Sequence, residues 1–281
     1  MDLLEKLTHR ASAGRDARIY LLGGPYVTVS GVRCDVPEGS KRLLAFVALR
    51  RCRVERRHAA GALWPVGDDN RAAGNLRSAL WRLRGAGIDI MESDKWSLGL
   101  AADVRVDVLA VNEWADRLIS GGPLASDLTT MPARVSPLEL LPGWYDDWII
   151  LERERLRQRV LHALEALSRQ LTVHGRHAEA VEAALSAVIS EPLRESAQRV
   201  LIEAHLGECN WVEAQRAFIA YRDVLREELG VSPSPELAAV VYEPATARMA
   251  TAGRASASHG RWSVRDQGRQ TLGEVPTSSL T

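Results

Sequence analysis

Residues 70–84, NRAAGNLRSALWRLR, combine side chains that can bind the bases and phosphates of a nucleic acid. The stretch contains no acidic residue, and its charged or amide side chains include Arg71, Asn75, Arg77, Arg82 and Arg84. Arginine can donate two hydrogen bonds to guanine O6 and N7, and asparagine can pair in the same way with adenine. The chemistry indicated is therefore recognition of a polyanion rather than catalysis.

The apolar residues of this stretch have the spacing of an amphipathic helix. With Leu76 as reference and 100° per residue, the buried stripe is predicted to contain Ala72, Ala73, Leu76, Ala79, Leu80 and Leu83. The opposite face carries Arg71, Gly74, Asn75, Ser78, Trp81 and Arg82, with Arg77 and Arg84 on one flank. A merely solvated face is the alternative, but such a face normally mixes charges of both signs. The face instead favours a recognition helix with room for a groove wall at Gly74 and Ser78.

The elements around this helix follow a definite order. Residues 18–36 predict short strands around the turn Gly23-Gly24-Pro25, and a first helix follows, with Ser40 as its N-cap. A second helix covers about 55–63, and Asp68 and Asp69 then offer N-caps for the third helix. Alternating residues in GIDIMESDKWSLGL predict a hairpin with Lys95 at its tip. Strands, three helices and a hairpin are the order of a winged helix-turn-helix.

The sequence of the remainder of the chain predicts mainly helices. A long helix is expected to end at Gly175, after a loop over 120–142 with little regular structure. A repeat with an offset of 34 residues begins at His177 and at Trp211, which is the tetratricopeptide period. Ala180 and Ala214 occupy matching positions, where two helices should approach closely.

The formal net charge of zero conceals an uneven distribution. Residues 15–100 contain 15 Lys and Arg against 9 Asp and Glu, a net charge of +6. Residues 101–247 contain 14 against 23, a net charge of −9, and the rest of the chain carries +3. The first part can therefore meet phosphates, whereas the second part should not.

Several site classes find no support in the residues. Cys34, Cys52 and Cys209 form no C-x-x-C pair, so neither a disulfide framework nor a cysteine zinc site is expected. No P-loop motif occurs, and His174 and His177 lack a third ligand. We therefore expect that the protein has no enzymatic activity and binds neither a cofactor nor a metal. Without a signal peptide or an apolar run of about 20 residues, we expect a cytoplasmic, nucleoid-associated protein with no membrane partner.

Two segments resemble known families. The order of strands and helices over residues 18–100, together with the segment LRSALWRLR (76–84), resembles the DNA-binding domain of OmpR-type regulators. A second segment, YRDVLREELGVSPSPELAAVV (221–241), resembles the end of a bacterial transcriptional activation domain. The antibiotic regulatory protein (SARP) family joins these two domains in this order. The resemblance implies a mainly α fold, in which a winged helix-turn-helix with a small β-sheet and wing hairpin precedes an all-α tetratricopeptide-like domain. We expect an extension over 1–17, the winged domain over 18–105, the helical domain over 106–247 with its own separate core, and a disordered tail over 248–281.

The resemblance also implies roles for individual residues. Asn75, Ser78 and Arg82 occupy the positions nearest to base edges, and Arg71, Arg77 and Arg84 suit phosphate contacts. Lys95 in the wing is placed to reach the backbone or minor groove; Lys41, Arg56 and Arg57 are either phosphate contacts or solvated surface residues. Trp64, Asp68 and Asp69 lie in the loop that OmpR-type domains use to touch polymerase, unless the loop is a plain connection. Trp81 departs from the family, and its packing on the wing, on a sugar or on the helical domain stays open.

The implied function is that of a transcription activator. Family members bind double-stranded DNA as homodimers at direct repeats and recruit RNA polymerase holoenzyme, and the family name implies control of antibiotic biosynthesis genes. The alternative is a tetratricopeptide-type interaction scaffold with a structural N-terminal domain, against which the basic third helix argues.

Overall fold

The N-terminal strands surround β1, which lies between two neighbours in a small sheet. The computed structural model describes residues 17–50, 52–129 and 139–242. Strands β1 (Ala17–Tyr20), β2 (Tyr26–Val29) and β3 (Val32–Cys34) pair antiparallel in sequence order. Gly23 and Gly24 both have positive φ angles, which allow the tight β1–β2 connection. The predicted strands and turn are confirmed, whereas the extension over 1–17 lies outside the described residues except for Ala17.

Three helices follow the sheet and pack on one another. They are α1 (Glu38–Ala48), α2 (Arg56–Leu63) and α3 (Asp69–Gly85). The prediction that Ser40 caps α1 is wrong, because the helix begins two residues earlier and buries this side chain. Its hydroxyl instead donates a 2.8 Å hydrogen bond to the carbonyl oxygen of Ala79, which links α1 to α3.

The wing is the predicted hairpin. Strands β5 (Met91–Ser93) and β6 (Ser97–Leu100) pair antiparallel, and the two-residue strand β4 (Val54–Glu55) joins the other edge of β6. The chain then returns through β7 (Arg105–Val106), which pairs parallel with β1 and completes the first sheet.

The second part of the described chain is helical. It contains α4 (Asp107–Ile119), α5 (Asp147–Val173), α6 (His177–Ser190), α7 (Glu195–Gly207), α8 (Trp211–Leu229) and a last helix, α9, over 235–242. The starts of α6 and α8 confirm the offset of 34 residues, and Ala180 and Ala214 are fully buried at matching positions. The predicted fold class, mainly α with a winged helix before a tetratricopeptide-like array, is confirmed. None of the described helices is long and apolar enough to cross a bilayer. The predicted tail over 248–281 lies outside the described residues.

One hydrophobic core spans the winged helix and part of the helical array, so the expectation of fully separate cores is wrong, although two smaller clusters, around Phe218 and around Val200, lie within the array alone. A single cluster of buried side chains includes Ile19 of β1, Leu76 of α3, Trp114 of α4 and Leu164 of α5. Phe46 of α1 also packs edge-to-face on Trp148 of α5, with ring centroids 5.2 Å apart. The two parts therefore fold against one another and are not joined by a free linker.

The long loop before α5 contributes to this junction. Arg117 donates two 2.8 Å hydrogen bonds to buried Asp127, which lies in a short 3₁₀ turn, and Leu140 bridges to Leu22. Asp146 occupies the N-cap position of α5, but its side chain makes no capping hydrogen bond and instead forms an ion pair with Arg42 of α1.

Asp107 holds the junction at its buried centre. One carboxylate oxygen accepts the N–H groups of Leu21 and Leu22 at 2.9 Å, and the other accepts the N–H of Val108 at 2.6 Å. These donors favour the ionised carboxylate, but burial has the larger effect and raises the pKa of Asp107 from 3.8 to about 6. The end of β1 and the start of α4 are thereby tied through one side chain.

We expect Asp107→Asn to remove a pH-dependent contribution to stability. Because the folded-state pKa is raised, the contribution of Asp107 is complete below about pH 3.8 and is lost as pH rises through about 6. Relative to the variant, the wild type should therefore lose up to about 3 kcal/mol of unfolding free energy between acid and neutral pH. Urea unfolding followed by circular dichroism measures this difference, with exposed Asp35→Asn as control. A difference that stays constant across the pH range would contradict the prediction.

The turns before α6 and α8 have different residue types at their left-handed position. Gly175, before α6, has a φ of 72°, and the equivalent residue before α8 is Cys209, with a φ of 62°. A side chain in this left-handed region costs about 1–2 kcal/mol, whereas glycine adopts it freely.

Cys209→Gly should therefore stabilise the protein. We expect a gain of about 1 kcal/mol, reduced by the larger entropy of glycine in the unfolded chain, and a melting temperature higher by about 2–4 °C. Cys209→Ala is the matched control, because it removes the thiol and keeps the Cβ atom. Equal melting temperatures for the two variants would show that Cys209 is not strained.

Candidate nucleic-acid interface

The buried stripe of α3 fixes which face the helix presents to solvent. Five of the six predicted positions are buried, namely Ala72, Leu76, Ala79, Leu80 and Leu83, whereas Ala73 is half-buried. Asp68 is the N-cap, as predicted, and its carboxylate accepts the N–H of Arg71 at 2.7 Å. The helix is thus anchored on one side and capped at its start, and its polar side stays available.

The solvent face of α3 carries positive charge that the fold does not neutralise. No carboxylate of residues 17–50, 52–129 or 139–242 lies within ion-pair distance of Arg71, Arg77 or Arg82. Arg84 is the exception, with its Nε atom 3.9 Å from Asp89. Ser78 is exposed and Asn75 is half-buried on the same side.

Two glycines outside α3 make room for its arginines. A Cβ atom at Gly39, in the first turn of α1, would lie 3.0 Å from a guanidinium nitrogen of Arg82. A Cβ atom at Gly67 would lie 3.2 Å from the side chain of Arg71. Arg82 therefore lies beside the first turn of α1.

The basic residues outside α3 differ in how far they are neutralised. Lys41 pairs with Glu38 at 2.5 Å, and Arg57 pairs with Asp69 at 2.6 Å. Arg56 is half-buried at the start of α2, where its N–H donates to the carbonyl of Trp96 in the wing at 2.8 Å. The structure thus brings Arg56 and the wing together, while Lys41 and Arg57 are bound to carboxylates of the chain.

The loop between α2 and α3 uses its polar residues within the fold. Asp68 caps α3, Asp69 pairs with Arg57, and Trp64 is half-buried against the core. Val66 of this loop is 86% exposed.

Trp81 packs on neither of the two protein surfaces considered for it. Its side chain is 75% exposed on the outer side of α3, so it is buried against neither the wing nor the helical array.

The tip of the wing contains functional candidates that were not predicted. Asp94 accepts the N–H groups of Trp96 and Ser97 at 2.7 Å and a side-chain bond from Arg53 at 2.9 Å. The backbone N–H groups of Ser97 and Trp96 lower the pKa of Asp94 to about 2, so its carboxylate remains ionised at neutral pH. The sequence S-D-K-W-S could have predicted this turn, because an aspartate side chain commonly accepts a hydrogen bond from a backbone N–H group a few residues later.

No cluster of three or more metal-binding side chains occurs in the part of the chain that the structure describes.

Comparison with known proteins identifies the helical part. Residues 110–243 match the bacterial transcriptional activator domain. The regulatory protein AfsR of Streptomyces coelicolor is 28% identical over 71% of this chain, and AfsR of Streptomyces griseus is 38% identical over 36% of it. The chain spans only 21% and 10% of the lengths of these two relatives.

A solved structure has the same fold. EmbR of Mycobacterium tuberculosis, determined in complex with a low affinity phosphopeptide, superimposes with a TM-score of 0.63. The match covers 87% of this chain and 71% of EmbR, at 18% identity. The activator domain, its position behind a winged helix and the AfsR relatives agree with one another, and together they support a SARP-type transcriptional regulator.

Proposed function

We propose that this regulator binds double-stranded DNA through its winged helix, with α3 in the major groove. The observation that carries the proposal is the exposed face of α3, where Arg71, Arg77 and Arg82 have no carboxylate partner among the described residues. An uncompensated row of arginines is costly to group together unless an anion binds there. Phosphates and guanine edges supply such a partner.

The proposed contacts divide into two kinds. Asn75, Ser78 and Arg82 are assigned to base edges, which give sequence discrimination. Arg71, Arg77, Arg84 and Lys95 are assigned to the backbone, which positions the protein on the duplex. Lys41, Arg56 and Arg57 are proposed as outer phosphate contacts, for which Lys41 and Arg57 must exchange a carboxylate for a phosphate.

The proposed output is activation of transcription. The acidic part of the chain, net −9, repels DNA and suits contact with protein. We assign it, with Trp64, Asp68 and Asp69 of the α2–α3 loop, to RNA polymerase holoenzyme, and we propose a homodimer at direct repeats that controls secondary-metabolite genes. Residues 18–105 and 106–247 are the two proposed functional parts.

A gel shift of the full chain on genomic fragments tests DNA binding. At low and moderate salt the protein should retain a subset of fragments, and its affinity should fall steeply as salt increases. Retention of no fragment under either condition would sink the proposal and favour the interaction scaffold.

Arg82→Ala should reduce discrimination between a preferred fragment and random duplex. Loss of a bidentate base contact costs about 1–3 kcal/mol on the preferred site. Arg77→Ala should weaken binding about equally on both duplexes, because a phosphate contact carries no sequence information. Arg216→Ala, an exposed arginine of α8, is the matched control and should bind as wild type does. If Arg82→Ala has the affinities of wild type on both duplexes, Arg82 makes no base contact.

A further inference from the structure

The wing tip exposes a tryptophan that the fold does not bury. Trp96 is 72% exposed in the turn between β5 and β6, and the Nζ atom of Lys95 lies 5.0 Å from its ring centroid. A large apolar ring in water contributes little to folding, so its position at the tip suggests a contact partner outside the chain.

The turn that carries Trp96 is fixed before any partner arrives. Asp94 accepts the backbone N–H groups of Trp96 and Ser97, and Arg53 donates to its second carboxylate oxygen. The carbonyl of Trp96 accepts the N–H of Arg56, which joins the tip to the first residue of α2. The backbone that carries the ring is therefore already ordered, which reduces the entropic cost of binding.

A basic cleft of about 460 Å³ lies between this tip, α2 and α3. Four cations and two carboxylates line it together with the indole ring. The cations are Arg56, Arg57, Arg77 and Lys95, and the carboxylates are those of Glu55 and Asp69. Because Asp69 already pairs with Arg57, the other three cations dominate the opening.

In the proposed complex, α3 lies in the major groove and the wing with Lys95 lies against the backbone, so one DNA strand passes between them. We propose that the cleft takes the sugar-phosphate backbone of that strand, with a phosphate against Arg56, Arg77 and Lys95 and a deoxyribose against the ring of Trp96. This inference rests on the proposed function and adds Trp96 as an uncharged positioning residue. A sugar contact is independent of sequence, so it fixes where the protein sits and not which bases it prefers.

Fluorescence anisotropy of the full chain, with a labelled mixed-sequence duplex and the best-retained genomic fragment, tests the inference across a salt series. Trp96→Ala should weaken binding to both duplexes by roughly threefold to tenfold. The slope of log K against log salt should stay unchanged, because the indole ring releases no counterion. Arg56→Ala, which removes a phosphate contact, should reduce the slope by about one.

Two controls isolate the ring. Trp96→Phe should retain most of the affinity, and Tyr145→Ala, which removes an aromatic side chain 81% exposed outside the cleft, should bind as wild type does. Wild-type affinity of Trp96→Ala would overturn the inference and leave DNA binding intact. A reduced salt slope for that variant would also overturn it, because the effect would then come from Lys95. Failure of the wild type to bind either duplex would instead refute the proposed function itself.

Discussion

A single buried carboxylate, that of Asp107, lies at the centre of the junction between the two parts of this protein. Asp107 is the first residue of α4, and its oxygens accept backbone N–H groups from the end of β1 and from α4 itself. Because β7 precedes it and pairs with β1, the sheet, the wing and the helical array converge at this point. Buried N–H groups without an acceptor are costly, so this arrangement restricts where α4 can begin. The helix α5 packs on α4, and the later helices pack in turn on one another.

Local patterns predicted the elements of the fold because the forces behind them act over short stretches of chain. The buried stripe of α3 follows from helical periodicity around Leu76, and the 34-residue offset follows from comparing two stretches of sequence. The capping role of Asp68 depends on a neighbour three residues away. The recognition face itself could be named from residue types, although its contacts with DNA stay a prediction.

The features that sequence could not supply are contacts between distant residues. Ser40 bonds to Ala79 rather than to its own helix, and Asp146 pairs with Arg42, more than a hundred positions away. The position of Arg82 beside Gly39 depends on how α1 crosses α3, which no periodicity encodes. The shared core was missed for the same reason: a boundary in charge, from +6 to −9, is not a boundary in packing.

The shared core has a geometric consequence for a regulator that we propose to bind DNA through its winged helix and a partner through its helical array. Domains joined by a large apolar interface do not rotate freely relative to one another. The distance and orientation between the winged helix and the helical array are therefore fixed. A duplex turns once in about 10 base pairs. Moving the bound site by about half of that turn would carry the helical array to the opposite side of the DNA. Contact between the array and the partner would then depend on the rotational position of the bound site around the double helix relative to the partner, and not only on the number of base pairs between them.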